Sequence, residues 1–281
     1  MKPRTAVVVA LAAVLSGLGG CSAVSGQIFA EKALTTGPNG PETPADLGVP
    51  FQRVTIPSHD RGLDAYLVRA PAACVDPPAV LIYHGFNETI SKWAGAQAFL
   101  YRRCVSSLVF DPTGSGDSPR PATFDRVNED AASVYDFARA AFAPPTRLYV
   151  LGHSMGDGEL LQAEPGFAPQ PSGVVVADGF SSLRDFWTAH GAGAIALVIP
   201  DVWDNVQAIQ RVRAPVLVIH SDADTVIPEA EAEAVYAAAP QPKTLVVVHG
   251  FAHAELRRRP SDAWWAPVLR FMGAPAVASA Q

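Results

Sequence analysis

A serine, an acid and a histidine recur along this chain in the order and settings that nucleophilic chemistry requires. Ser154 stands in Gly152-His153-Ser154-Met155-Gly156, after the apolar run Leu148 to Leu151 and before Gly158-Glu159-Leu160-Leu161-Gln162. That reads as strand, sharp turn and helix with a serine at the turn, the pattern of a nucleophile elbow. A serine hydroxyl is a weak nucleophile at neutral pH. It needs an imidazole to take its proton and a carboxylate to orient that imidazole. Asp224, in Asp224-Thr225-Val226-Ile227-Pro228, is favoured as the acid over its neighbour Asp222, with Asp178 a distant third. His253 is favoured as the base over His249, because it lies farther out on the loop after a strand.

These residues need a scaffold that brings them to one edge. Phe51 to Ile56 and Leu63 to Arg69 read as strands joined by a turn. Ala79 to His84, Val105 to Asp111, Arg147 to Leu151, Gly173 to Ala177, Val216 to His220 and Lys243 to Val248 read as further strands. Ser91 to Arg103, Asn128 to Phe142, Pro228 to Ala238 and Asp262 to Met272 read as helices. Continuous apolar strands separated by helices predict an α/β fold: a mostly parallel sheet with helices on both faces. Ligands then bind at the carboxyl ends of the strands. Ser154, Asp224 and His253 all follow such ends.

The chain has 281 residues, of which 49% are hydrophobic and 17% charged, with a net charge of −6. This is a globular composition, and it argues against a nucleic-acid partner. His249 and His253 sit on a glycine-containing loop without H-E-x-x-H or a cysteine pair, so no metal is expected. Gly114-Ser115-Gly116 lacks the third glycine of a dinucleotide fingerprint, and no cofactor is expected. Asp157 and Glu159 follow the elbow, where carboxylates suit a helix's first turn but small residues are usual.

With these motifs in view, the chain resembles an α/β-hydrolase from about Phe51 to Met272. It is most similar to the BEM46-like serine hydrolases, through Tyr83-His84-Gly85-Phe86-Asn87, Phe110 to Ser118, Gly152 to Gly156, Ala214 to His220 and Asp224 to Pro228. The resemblance implies Ser154 as nucleophile, Asp224 as acid and His253 as base. It also implies an oxyanion hole at the backbone N–H groups of Phe86 and Met155. The expected activity is hydrolysis of a small-molecule carboxylic ester or thioester through an acyl-enzyme. A serine peptidase, or a non-catalytic binding protein on the same scaffold, are the alternatives. Phe180 to Arg213, with Phe186, Trp187, Trp203 and the run Ala194 to Ile199, is expected to form a small helical cap.

The N-terminus reads as a targeting segment: Lys2 and Arg4, the apolar stretch Ala6 to Leu18, then Leu18-Gly19-Gly20-Cys21. The stretch is short for a membrane span. Its end resembles a bacterial lipobox, which implies cleavage after Gly20 and diacylglycerol on Cys21, a membrane anchor in the cell envelope. Ser22 in place of an aspartate implies the periplasmic face of the outer membrane in a cell with two membranes. The expected division is a signal peptide over 1–20, a lipidated cysteine and flexible tether over 21–50, the hydrolase domain over 51–273 and a tail over 274–281. Cys74 and Cys104 precede two strands. If these are parallel neighbours, the cysteines share one end of the sheet, and a disulfide is expected in an oxidising compartment.

Overall fold

The computed structural model describes residues 31–32, 34–191 and 202–274. The expected signal peptide, Cys21, the run Ala194 to Ile199 and the tail beyond Ala274 lie outside them. Eight strands form one sheet in the order β1-β2-β4-β3-β5-β6-β7-β8. They are β1 (Gln52–Ser58), β2 (Arg61–Val68), β3 (Ala79–Tyr83), β4 (Ser106–Phe110), β5 (Leu148–His153), β6 (Gly173–Ala177), β7 (Val216–Ser221) and β8 (Lys243–Val248). β1 and β2 are antiparallel to each other, β2 is antiparallel to β4, and every other pair is parallel. The chain passes from β3 outward to β4 and then returns to the other side of β3 as β5. The strand order therefore reverses between β3 and β5, and a crevice opens at their carboxyl ends.

Among the described residues the helices are α1 (Ala94–Tyr101), α2 (Phe124–Phe142), α3 (Gly156–Ala163), α4 (Leu183–Ala189), α5 (Asn205–Ile209), α6 (Glu229–Ala238), α7 (Glu255–Arg258) and α8 (Asp262–Phe271). Alternate strand residues point to opposite faces, which divides the core in two. Leu81, Leu108, Val150, Val176 and Val218 pack on one face with Val134, Leu160 and Val235 from α2, α3 and α6. Ile82, Val109, Leu151, Val175 and Ile219 pack on the other with Phe99 from α1 and Trp264 and Trp265 from α8. No helix of the described residues is long and apolar enough to cross a membrane.

Two boundaries differ from expectation for local reasons. The helix expected from Asn128 begins at Phe124, because the Thr123 hydroxyl caps it by accepting from the Arg126 N–H at 3.1 Å. The expected helix over Ser91 to Arg103 is a 3-10 turn, Ile90–Trp93, followed by α1.

A larger correction concerns the tether. Residues 34–50, expected to be flexible, pack on the domain. Thr36 donates its N–H to the Gly114 carbonyl at 3.1 Å, and its hydroxyl accepts from the Gly116 N–H at 3.1 Å. The Asn39 amide donates to Asp111 at 2.8 Å, and the Gly40 N–H donates to the Ser91 hydroxyl at 2.9 Å. Leu34 and Val49 are buried in separate apolar clusters. The turn-rich composition hid this because the strap is held mainly by its backbone and polar groups, which carry no hydrophobic period.

Cys74 and Cys104 form a disulfide with Cα atoms 5.6 Å apart and a sequence separation of 30. It ties the approach to β3 to the approach to β4, at the end of the sheet opposite the crevice. Replacing both cysteines by serine is expected to lower stability by about 3–4 kcal/mol through the enlarged unfolded ensemble. Urea denaturation of the double variant checks this. A midpoint equal to that of the disulfide-bonded protein is the contrary outcome.

Candidate active site

β5 ends at His153 and the chain turns at once into α3, leaving Ser154 at φ 55°. Left-handed backbone at a non-glycine residue costs on the order of 1–3 kcal/mol and persists only where its surroundings impose it. Here they do. The Ser154 N–H donates to the Ala177 carbonyl of β6 at 3.0 Å. A Cβ on Gly156 would lie 2.1 Å from the Tyr83 carbonyl oxygen, so only glycine lets α3 start this close to the end of β3.

The structure brings together the favoured residues and separates their rivals. His253 Nε2 lies 3.1 Å from Ser154 Oγ, and His253 Nδ1 lies 2.6 Å from Asp224 Oδ2. The other Asp224 oxygen accepts from the N–H groups of Val226 and Ile227 at 2.6 and 3.0 Å. His249 pairs with Asp222 at 2.9 Å but is 82% exposed, on the surface and outside the crevice. Asp178 accepts from the Ser221 N–H at 2.7 Å and its hydroxyl at 3.1 Å, so it braces the start of the Asp224 loop. Burial pushes the His253 imidazole down, but the Asp224 hydrogen bond and charge, with the charges of Asp178 and Glu88, outweigh burial and raise its pKa. Burial likewise pushes Asp224 up, but the His253 hydrogen bond and charge and the two N–H donors hold its pKa below the usual range.

Phe86 and Met155 flank Ser154 from the loops after β3 and β5. Among the described residues, neither of their backbone N–H groups donates to a protein acceptor. The loop bearing Phe86 is held by Glu88, which sequence reasoning left without a role. Its buried carboxylate accepts from the Gly85 N–H at 3.0 Å and from Trp93 Nε1 at 2.8 Å. It also accepts from Arg257 Nε of α7 and faces His153 Nδ1 at 3.4 Å. Burial opposes that charge, yet the His153 and Arg257 partners bring the Glu88 pKa well below normal. The partners lie 65 and 169 residues away, so no local pattern could announce them.

A cavity of about 760 Å3 opens at Ser154 and His253. Its walls are largely apolar, with Phe124, Phe180, Leu183, Phe186 and Trp203 among them. The exposed rings and branches of Phe86 and Val226 form part of its rim. α4 belongs to the small helical cap, and Trp203 fixes it to the domain. The Trp203 ring lies where a Cβ on Gly158 would come within 2.6 Å, and its N–H donates to Asn128 at 2.9 Å.

Asp157 and Glu159 do not face the cavity. Both are buried, and no oxygen of either carboxyl has a hydrogen-bond partner among the described residues. Asp157 fills the space between two glycines: a Cβ on Gly152 or on Gly179 would lie 2.3 Å from one of its oxygens. Burial raises the Asp157 pKa well above normal, helped by the charge of Asp178. Burial does the same to Glu159, helped by Asp130. Burial thus disfavours the charged form of both carboxyls, and dipole stabilisation of a surface carboxylate does not describe them.

Comparisons with known proteins bear on the family and the fold. A family model described as "Serine aminopeptidase, S33" matches residues 77–176 and 184–257, more than half of the chain. An uncharacterized protein of Mycobacterium tuberculosis is 29% identical over 180 residues, covering 63% of each chain. A lysophosphatidylserine lipase of Danio rerio is 26% identical over 190 residues, covering 60% of this chain and 49% of the relative. The chain thus spans about half to three fifths of the length of these curated relatives. A Pyrococcus furiosus esterase superposes with a TM-score of 0.67 at 17% identity, covering 85% of this chain and 98% of the other. Est1E of Butyrivibrio proteoclasticus, solved with ferulic acid, superposes with a TM-score of 0.62 at 18% identity, covering 78% and 99%. These likenesses show the α/β-hydrolase fold.

The buried carboxyls make a specific prediction about pH. Their pKa values are raised on folding, so their burial is unpenalised below the ordinary carboxylate range. Stability is lost as pH rises through that range toward the folded values, by about 1.4 kcal/mol per pKa unit. Asp157→Asn and Glu159→Gln are expected to raise the urea midpoint at about pH 8 and to leave it nearly unchanged at about pH 4. Equal shifts at both pH values are the contrary outcome.

Proposed function

We propose that this chain, which belongs to the α/β-hydrolase family described as serine aminopeptidase, S33, is a serine hydrolase that cleaves a carboxylic ester or thioester. The observation that carries this reading is the continuous contact from Asp224 through His253 to Ser154 at the mouth of an apolar cavity. Ser154 Oγ attacks the acyl carbonyl as His253 Nε2 takes its proton. The oxyanion accepts from the Phe86 and Met155 N–H groups, donors worth about 2.7–4 kcal/mol each. His253 then returns the proton to the leaving alkoxide or thiolate, giving the free alcohol or thiol and an acyl-serine. Water attacks the acyl carbonyl, His253 accepts the water's proton, and Ser154 recovers it as the carboxylic acid leaves. Asp224 holds the imidazole and stabilises its charged form throughout. The motifs after β3 and β4 support a place among the BEM46-like members.

The family description supports an aminopeptidase as a second reading, since the same three residues can cleave an amide. An aminopeptidase must also hold a substrate ammonium. No carboxylate is among the described residues lining the cavity, while Lys32 and His190 are. The apolar walls favour an acyl group, and the names of the lipase and esterase relatives point to esters. We further infer that Cys21 carries diacylglycerol and holds the protein in the bacterial cell envelope, at the periplasmic face of the outer membrane in a cell with two membranes. The charged start, the short apolar stretch and Leu18-Gly19-Gly20-Cys21 support this.

Ser154→Ala is expected to lower kcat by about a million-fold and to abolish fluorophosphonate labelling while the folded state persists. Full labelling of the folded variant would move the nucleophile elsewhere. Asp224→Asn is expected to lower kcat by about ten-thousand-fold, against a mild effect of Asp222→Asn, and the reverse ranking would exchange their roles. For the anchor, the native protein is expected in the detergent phase of a phase partition, and Cys21→Ser is expected to stay unprocessed. A soluble, unlipidated mature species by mass spectrometry would remove the anchor and leave the hydrolase reading intact.

A further inference from the structure

The strap over residues 34–40 lies outside both stretches of the family match, yet it reaches the cavity. Leu34 is 2% exposed and lines the cavity together with Phe124, Phe180, Leu183 and Trp203, with which it forms one apolar cluster. Its backbone is held against the loop after β4: the Leu34 carbonyl lies within 3.4 Å of where a Cβ on Gly114 would stand. Two residues on, Thr36 fastens the strap to Gly114, Gly116 and the Arg120 guanidinium. Asn39 then donates to Asp111, whose other oxygen accepts from the Ile90 N–H at 2.9 Å and faces His84 at 3.1 Å. The Leu34 side chain is thus mounted on a polar frame that it does not itself build. The fastening and the wall are separate parts, and they are separately mutable.

We propose that Leu34 is a specificity-determining residue: the strap supplies one wall of the acyl pocket and so limits the length of the acyl chain that Ser154 accepts. This rests on the serine hydrolase reading above. The class of substrate is an ester of an apolar acyl chain, because the neighbouring walls offer aromatic and aliphatic surface. Each methylene that gains or loses burial in such a pocket is worth about 0.8 kcal/mol, roughly fourfold in kcat/KM. Truncating Leu34 opens room for two to three carbons, so selectivity between long and short chains is expected to change by at least tenfold.

The test uses the full chain and a series of p-nitrophenyl esters from acetate to dodecanoate. Leu34→Ala is expected to raise the ratio of kcat/KM for long over short esters about tenfold or more, and Leu34→Trp to lower it. Thr36→Val removes only the hydroxyl that accepts from the Gly116 N–H, keeps the backbone contacts to Gly114 and Arg120 and leaves the wall residue in place, so it is expected to change all esters by a similar small factor. Fluorophosphonate labelling of wild type and variants, with thermal melts, runs alongside. Unchanged ratios in folded, labelled Leu34 variants overturn the proposal and leave the serine hydrolase reading standing. A wild type that hydrolyses no ester and takes no label overturns both. If Leu34→Ala does not fold, Leu34→Met and Leu34→Phe carry the same comparison, and a profile unchanged in both is equally fatal.

Discussion

The close approach of the start of α3 to the carboxyl end of β3 is the constraint on which the site depends. Gly156 meets the Tyr83 carbonyl oxygen so nearly that no side chain fits between them. The same contact sets the helix that follows Ser154 against the loop that carries Phe86. Gly85 repeats the pattern from the other side, where an added Cβ would lie 3.1 Å from Ser154 Cβ. Two backbone segments from distant parts of the sequence thereby meet beside Ser154. The left-handed turn at Ser154 is a local strain that the parallel sheet sustains, since its N–H is held by the Ala177 carbonyl of β6.

Around this point, charge is handled in two ways. Glu88 keeps its charge in the interior because the Gly85 N–H, Trp93, Arg257 and His153 surround it. It joins the loop after β3 to α7, which follows directly on the His253 loop. Asp157 and Glu159 lie close by in sequence to the nucleophile but have no such partners, and burial raises their pKa well above normal. A buried ion is tolerated where donors converge on it; without them the group gives up its charge instead.

Most strands and the elbow were legible in the sequence, because buried parallel strands are written as continuous apolar runs. Gly173 to Ala177 and Lys243 to Val248 match their observed limits. Ser154, Asp224 and His253 were legible because each follows a strand end in a recognisable local register. The parts that were not legible are held by partners remote in sequence. Glu88 depends on Arg257, and the inward orientation of Asp157 depends on the space above Gly152 and Gly179. The strap shows the limit most clearly. Its composition is that of a linker, and contacts to the Gly114 loop, Asp111 and Ser91, with the burial of Leu34 and Val49, turn it into part of the domain.

The docked strap also fixes a reach. Between Cys21 and Leu34 there are thirteen peptide links, which span at most about 45 Å when fully drawn out. A tether running freely to Pro50 would allow roughly twice that distance. Under the proposed attachment at Cys21, the domain would work within that reach, on a leash joined to the strap beside the cavity. Under that proposal, substrates dissolved in the bilayer surface would stand at high effective concentration, while those deep in the aqueous space would gain nothing from the attachment.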